Sequence, residues 1–304
     1  MKITIVGAGN VGATCAMRLL EGDLADIVLI DIAEGIACGK AEDMMDAASL
    51  LGHTRNIIGG SDYELTKESD IVVITAGFAR KPGMTREELL TKNAAVVGDI
   101  SSKITQYSKD PIIIVVTNPL DVMSYLAWKN SKLNKRKVIG MAGSLDSSRM
   151  NLITSRILNK DLADVDSLVL GTHGETMVPV SSHSKVDGVS FDSSLSKDII
   201  SKIIDKTKAR GAEIVSYLGS GSAYYAPSAG VYRIVRAIVE DSQEILPCSC
   251  LLEGEYGIDG IFLGVPAQIG RDGVSEIIEL SLSDTESTLL KNAADSVRSK
   301  LENL

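Results

Sequence analysis

Lys2-Ile-Thr-Ile-Val-Gly-Ala-Gly-Asn-Val-Gly12 is the stretch from which the rest of this chain can be read. Residues 2–6 are mostly apolar and β-branched, a composition that favours a strand. Glycines follow at 7, 9 and 12, and an apolar pattern at helical spacing begins at once. The local prediction is strand, turn, helix. In the G-x-G-x-x-G spacing Gly7 permits a tight turn, Gly9 lets the backbone approach a pyrophosphate, and Gly12 lets the helix pack close to the strand. An anion placed there meets the free N–H groups of a helix N-terminus.

A second apolar run, Ile27 to Ile30, ends in Asp31, 19 residues after Gly12, at the spacing expected of an acid that binds a ribose. A carboxylate in that position accepts both ribose hydroxyls and repels a 2′-phosphate. The reading is therefore NAD rather than NADP.

With 304 residues and 44% hydrophobic composition the chain can bury a full core, and its length suits two domains. It has no run of 18 apolar residues, which argues against a membrane span. A strand that starts at residue 2 leaves no room for a signal peptide, so a cytoplasmic protein is expected. Cys15, Cys38, Cys248 and Cys250 form no C-x-x-C pair; buried thiols are expected rather than a disulfide or a metal site. Lys plus Arg number 31 against 40 acids, a net charge of −9, with no basic stripe that would suit nucleic acid. An acidic protein that binds an anion has to concentrate its arginines locally.

Asp70 to Thr75, Pro111 to Thr117 and Lys137 to Met141 are further apolar runs. They are continuous rather than alternating, as in a sheet covered on both faces. Amphipathic patterns lie between them, at residues 34–50 and from Glu87 onward. The fold class is α/β: a doubly wound parallel sheet over residues 1–143, then an α+β domain over 144–304. In the second domain, helices are predicted over 195–218 and from Pro227, and Ser283 with Glu286 makes a capping box for the last helix. Between these, 249–256, 261–270 and 274–280 read as an antiparallel meander.

Candidate functional residues fall at the ends of these elements. After the strand ending at Thr75 comes Ala76-Gly-Phe-Ala-Arg80-Lys-Pro-Gly-Met-Thr-Arg86, a loop beyond the carboxyl end of its strand, where ligands bind in open α/β sheets. Its glycines and three cations suit a lid that closes on an anion. Asn118-Pro119 closes the next strand and is a candidate cis peptide. Asp146 and Arg149, three apart, share a helix face; from local sequence Asp146 reads either as an N-cap or as a functional carboxylate. His173 stands between Gly171-Thr172 and Gly174, a setting that clears space around an imidazole. His53 and His183, the other two histidines, read as exposed.

Taken in order, G-A-G-N-V-G, Asp31, T-A-G-F-A-R-K-P-G-M-T-R, V-T-N-P-L-D, G-M-A-G-S-L-D-S-S-R and G-T-H-G-E-T-M-V-P resemble the lactate/malate dehydrogenase family over nearly the whole chain. The resemblance implies an NAD-dependent oxidoreductase in which His173 exchanges a proton with the substrate hydroxyl, with Asp146 as its partner. Arg149 would clamp the substrate carboxylate, Arg86 would polarise the carbonyl, and Asn118 would hydrogen-bond near the reacting centre. It also implies a cofactor site of Gly7, Gly9, Asn10, Val11, Gly12, Asp31, Thr75, Ala76, Gly77, Asn93, Val116 and Asn118. Arg80 occupies the loop position where lactate enzymes typically carry Gln, and its charge suits a second carboxylate, so the chain is most similar to the lactate-dehydrogenase-like malate branch. The implied partners are a small dicarboxylate and further copies of the chain, a tetramer ahead of a dimer. Other readings are a lactate or other 2-hydroxyacid dehydrogenase that tolerates Arg80, and a non-catalytic NAD-binding sensor.

Overall fold

Every residue of β1 (Lys2–Val6) after the first is buried, as a strand covered on both faces requires. In the computed structural model, which describes residues 1–78, 84–174, 176–219 and 221–304 and of Arg86 the backbone alone, β1 is central to a parallel sheet. The chain runs through α1 (Asn10–Glu21), β2 (Asp26–Ile30), α2 (Glu34–Leu51), β3 (Ile57–Gly60), β4 (Ile71–Ile74), α3 (Arg86–Tyr107), β5 (Ile112–Val115), α4 (Leu120–Ser131) and β6 (Val138–Gly140). The spatial order is β3-β2-β1-β4-β5-β6, all parallel. Its order reverses beside β1, and in open α/β sheets that switch point is where a ligand crevice forms.

The second half begins with α5 (Gly143–Leu158) and continues through β7 (Val165–Asp166), β8 (Val169–Gly171), β9 (Met177–Pro179), β10 (Lys185–Val186), β11 (Val189–Ser190) and α6 (Phe191–Ser194). Then come α7 (Lys197–Leu218), α8 (Tyr225–Val239), β12 (Glu244–Glu253), β13 (Asp259–Gly270), β14 (Gly273–Ile277) and α9 (Asp284–Glu302). The expected meander is β12-β13-β14, antiparallel throughout. It does not stand apart: β12 pairs antiparallel with β6 at Ser249 and Gly140. Among the described residues the two halves thus share one sheet of 11 strands, with a separate three-stranded sheet of β11, β10 and β7. A second apolar cluster, including Met150, Phe191 and Ile203, fills the space between α5 and α7.

Several local expectations shift. Helix α4 was not anticipated, α5 opens at Gly143 rather than at Asp146, and α8 opens at Tyr225, two residues before Pro227. In α2 only Ala37 and Ala41 are buried, while Ile36 and Leu51 are more than half exposed. His183 is half-buried rather than exposed, its Nε2 lying 2.9 Å from the Ser281 carbonyl oxygen, and His53 is likewise half-buried. The Asn118–Pro119 bond is cis. The four cysteines are free; Cys15, Cys248 and Cys250 are buried and Cys38 half-buried. Burial pushes the Cys15 and Cys248 thiols up to about 12. Among the described residues no helix is long and apolar enough to cross a membrane.

Candidate active site

The glycine turn is built from backbone. Gly7 has φ of 108°, a left-handed conformation that other residues adopt with strain. A Cβ at Gly12 would run into the Gly7 carbonyl oxygen, so close packing of α1 on β1 depends on its absence. Gly9 is the N-cap of α1, and a Cβ there would meet nothing within 4 Å; the space beside it is open. The helix start carries no side-chain cap and no acid in its first turn, leaving N–H groups for an anion. Asn10 and Val11 follow on its first turn, Asn10 exposed and Val11 half-buried.

Asp31, at the end of β2, is locked against this turn. Its Oδ2 accepts from the Ala8 N–H at 2.7 Å and its Oδ1 from the Ala33 N–H at 3.0 Å. Lys40 donates to the Ala8 carbonyl at 2.7 Å, a contact that the sequence did not signal. A carboxylate beside a glycine turn, with an open space at Gly9 and free helix N–H groups, is a donor and acceptor set that fits a dinucleotide.

Three polar side chains tie the ends of β1, β4 and β5 together. Thr75 donates to the Gly7 carbonyl at 3.0 Å and Thr117 to the Ala76 carbonyl at 2.7 Å. A side chain at Gly77 would press on Thr117. Asn93 is 1% exposed. Its Oδ1 accepts from the Phe78 N–H at 2.7 Å, and its Nδ2 donates to the Asn118 carbonyl at 2.7 Å and the Phe78 carbonyl at 3.3 Å. With both amide donors committed, Asn93 shapes the wall of the crevice rather than offering donors to a ligand. Asn118, just past the end of β5, is exposed, and Val116 is half-buried.

On the other side, His173 and Arg149 line a cavity together with Val11, Val116, Asn118 and Gly211, and the buried Asp146 joins the two. Helix α5 presents Asp146 and Arg149 one turn apart; the loop after β8 presents His173, flanked by Gly171 and Gly174 with φ of 77° and 128°. His173 Nδ1 is 2.7 Å from Asp146 Oδ2, and Arg149 Nη1 is 3.3 Å from Asp146 Oδ1. Asp146 is therefore not an N-cap: the helix starts three residues earlier, and its carboxylate, 1% exposed, is spent on two side chains. Arg149 keeps a buried Nε with no partner among the described residues. Burial opposes a charge on His173, but the charge and hydrogen bond of Asp146 outweigh it; with a lesser opposing push from Arg149 and help from Asp121, the imidazole is held above its usual value.

Asp121, on the first turn of α4, is a buried acid near this group that was quoted within V-T-N-P-L-D but given no task. No spacing rule marked it, because its hydrogen-bond partner, Ser249, lies on β12, 128 residues away. Arg80 and the centre of its loop, together with the side chain of Arg86, lie outside the described residues.

This arrangement can hold a dinucleotide at the turn and exchange a proton at an imidazole backed by a carboxylate. Two family models match the chain: the NAD binding domain of lactate/malate dehydrogenase over residues 1–140, and its alpha/beta C-terminal domain over 143–304. The chain belongs to the lactate/malate dehydrogenase family. Among relatives in that family, it is 47% identical to the malate dehydrogenase of Chlorobium chlorochromatii, over 98% of this chain and 96% of the relative. The malate dehydrogenase structure from Aeropyrum pernix superposes with a TM-score of 0.96 at 41% identity, covering 99% of this chain and 98% of that one. The Cryptosporidium parvum lactate dehydrogenase, solved with lactic acid and nicotinamide adenine dinucleotide, gives 0.95 at 37% identity, covering 99% and 96%. Lactate and malate enzymes of the family thus share this backbone almost equally, and the choice between them lies in side chains.

Proposed function

We propose that this chain catalyses reversible hydride transfer between (S)-malate and NAD, giving oxaloacetate and NADH, with His173 exchanging the substrate proton. The observation that carries the reading is the buried Asp146 carboxylate shared between His173 at 2.7 Å and Arg149 at 3.3 Å, two side chains that line a cavity with Asn118.

Bound along the glycine turn, with Asp31 on its ribose, NAD supplies the hydride acceptor or donor. An ionised carboxylate only accepts, so His173 Nδ1 carries its proton toward Asp146 and Nε2 is left for the substrate. In malate oxidation Nε2 takes the hydroxyl proton, and Asp146 steadies the imidazolium that results. Arg149 has donors in a planar fork suited to a carboxylate in bidentate contact, which Lys cannot imitate. Asn118 donates near the reacting carbon, Arg86 polarises the carbonyl, and Arg80 meets the second carboxylate.

An Arg80 charge set against the uncharged methyl group of pyruvate is left without a partner, so discrimination against pyruvate reaches on the order of 10⁴-fold. Following NADH absorbance with oxaloacetate, pyruvate and 2-ketoisocaproate separates this activity from a broader 2-hydroxyacid enzyme and from a sensor that turns over none. Arg80→Gln is expected to cut kcat/KM for oxaloacetate steeply while raising that for pyruvate. An unchanged ratio removes Arg80 from substrate choice.

The working form we infer is a homotetramer in the cytoplasm, ahead of a dimer. Free cysteines suit a reducing compartment. Exposed apolar side chains gather on α2 (Ile36, Leu50, Leu51) and on α7 and α8 (Tyr217, Leu218, Tyr225), more than single scattered residues need. Sedimentation equilibrium reads the mass directly, and a monomer at micromolar concentration contradicts this assembly.

A further inference from the structure

Lys40 reaches into the glycine turn from outside it. It stands on α2, three residues after the buried Ala37 and beside the buried Ala41, small side chains that let the helix lie close to the sheet; at Gly59 on β3 a Cβ would run into the Ala37 carbonyl oxygen. From there the half-buried Lys40 donates to the Ala8 carbonyl at 2.7 Å, across 32 residues of sequence. Ala8 is thus held on both sides, since its N–H donates to Asp31 Oδ2 at 2.7 Å.

The other carbonyls of the turn are taken up by uncharged groups. Val6 accepts from the Thr75 and Ala76 N–H groups at 2.9 and 2.8 Å, Gly7 from the Thr75 hydroxyl at 3.0 Å, and Gly9 from the Ala13 N–H at 2.9 Å. Those donors lie just past β4 or in α1, so the fold supplies them in any case. Among the described residues, Ala8 alone is met by a cation, and no carboxylate forms an ion pair with that ammonium.

A half-buried charge without a partner of opposite sign is unfavourable, and a neutral donor would cap a carbonyl without that cost. What only a cation adds is attraction for an anion. The turn already carries the negative charge of Asp31, the whole chain has a net charge of −9, and a dinucleotide brings a pyrophosphate. A carbonyl oxygen is also the negative end of its peptide dipole, opposing an anion that neighbouring N–H groups attract. Lys40 covers that oxygen and adds positive charge at the same point.

We propose that Lys40 is a positioning residue of the cofactor site, fixing the Ala8 carbonyl and supplying the charge that offsets Asp31 as the pyrophosphate settles on the turn. The proposal rests on the reading of the glycine turn as the seat of NAD.

The test is NADH binding to the whole enzyme, read by fluorescence titration over a range of ionic strength. Lys40→Met keeps an apolar stem and loses both donor and charge. It is expected to weaken NADH binding about tenfold at low salt and to flatten the dependence of affinity on salt, with KM for NADH rising in step. Lys40→Arg keeps the charge and recovers most of the affinity. A mere strap between α2 and the turn would lower the melting temperature when lost and leave the salt dependence as steep as in wild type. Wild-type affinity or wild-type salt dependence in folded Lys40→Met overturns the inference. Should that variant not fold, Lys40→Gln takes its place, because it retains a donor and lacks the charge, and an unchanged salt dependence there is equally fatal. Gly9→Ala, titrated alongside, tells the two failures apart: if it too binds NADH as wild type does, the turn is not the cofactor's seat and the role of Lys40 falls with it.

Discussion

The two sides of the cavity are made in different ways. The cofactor side is backbone: three glycines, the start of α1, and one carboxylate whose oxygens are held by the Ala8 and Ala33 N–H groups at 2.7 and 3.0 Å. All of it falls within the first 33 residues. The substrate side is side chains: Asp146 and His173 meet at 2.7 Å across 27 residues. A backbone site is specified by spacing and survives many side-chain changes nearby. A side-chain site is specified by tertiary contact, and each member carries a charge or a proton that no neighbour replaces.

Substitutions on the two sides should fail in different ways. The largest effect is expected at His173. His173→Asn removes the proton acceptor and should lower kcat about 10²- to 10⁴-fold while a fluorescence titration still finds normal NADH binding. A parallel loss of NADH affinity would mean that the imidazole belongs to the cofactor side after all. Next comes Gly12→Ala, whose new methyl collides with the Gly7 carbonyl; overpacking of this kind costs about 1–3 kcal/mol. Thermal melting should fall and NADH affinity with it, because the turn and the helix shift together. The smallest effect on the fold belongs to Gly9→Ala, where the added carbon has open space. Its melting temperature should match wild type while NADH binds more weakly, and unaltered affinity would show that no ligand approaches the backbone there.

The same contrast explains what could be read in advance. Ile3, Ile5, Val73 and Ile114 are buried in the parallel strands, and a continuous apolar run is a local signal. The capping box at Ser283/Glu286 is equally local, and it forms; a second one at Thr85/Glu88 went unread. The antiparallel join of Gly140 to Ser249 has no such signature, since a strand edge does not announce its neighbour. Helix α4 went unread because its buried face includes Asp121, Ser124 and Ser131, polar residues that break an apolar stripe. In α2 the periodicity of Ile36 and Leu51 was real, but those side chains face away from this chain's core. His183 read as exposed because its acceptor, the Ser281 carbonyl, lies 98 residues away. Among candidate site residues the types were legible from motifs, whereas the contacts of Asn93, its amide turned inward on Phe78 and Asn118, were not.

The hydrogen-bonded junction at Gly140 and Ser249 also bears on how the molecule comes apart. Two modules joined by a tether melt separately, and either can persist when the other is lost. Here the parallel half cannot let go without leaving the edge of β12 bare of its partner and stripping the Asp121 oxygen from Ser249. An open edge of that kind invites pairing with another chain. The junction is expected to make both halves unfold in one cooperative step, which would keep the partly open form scarce and with it the species most prone to aggregate.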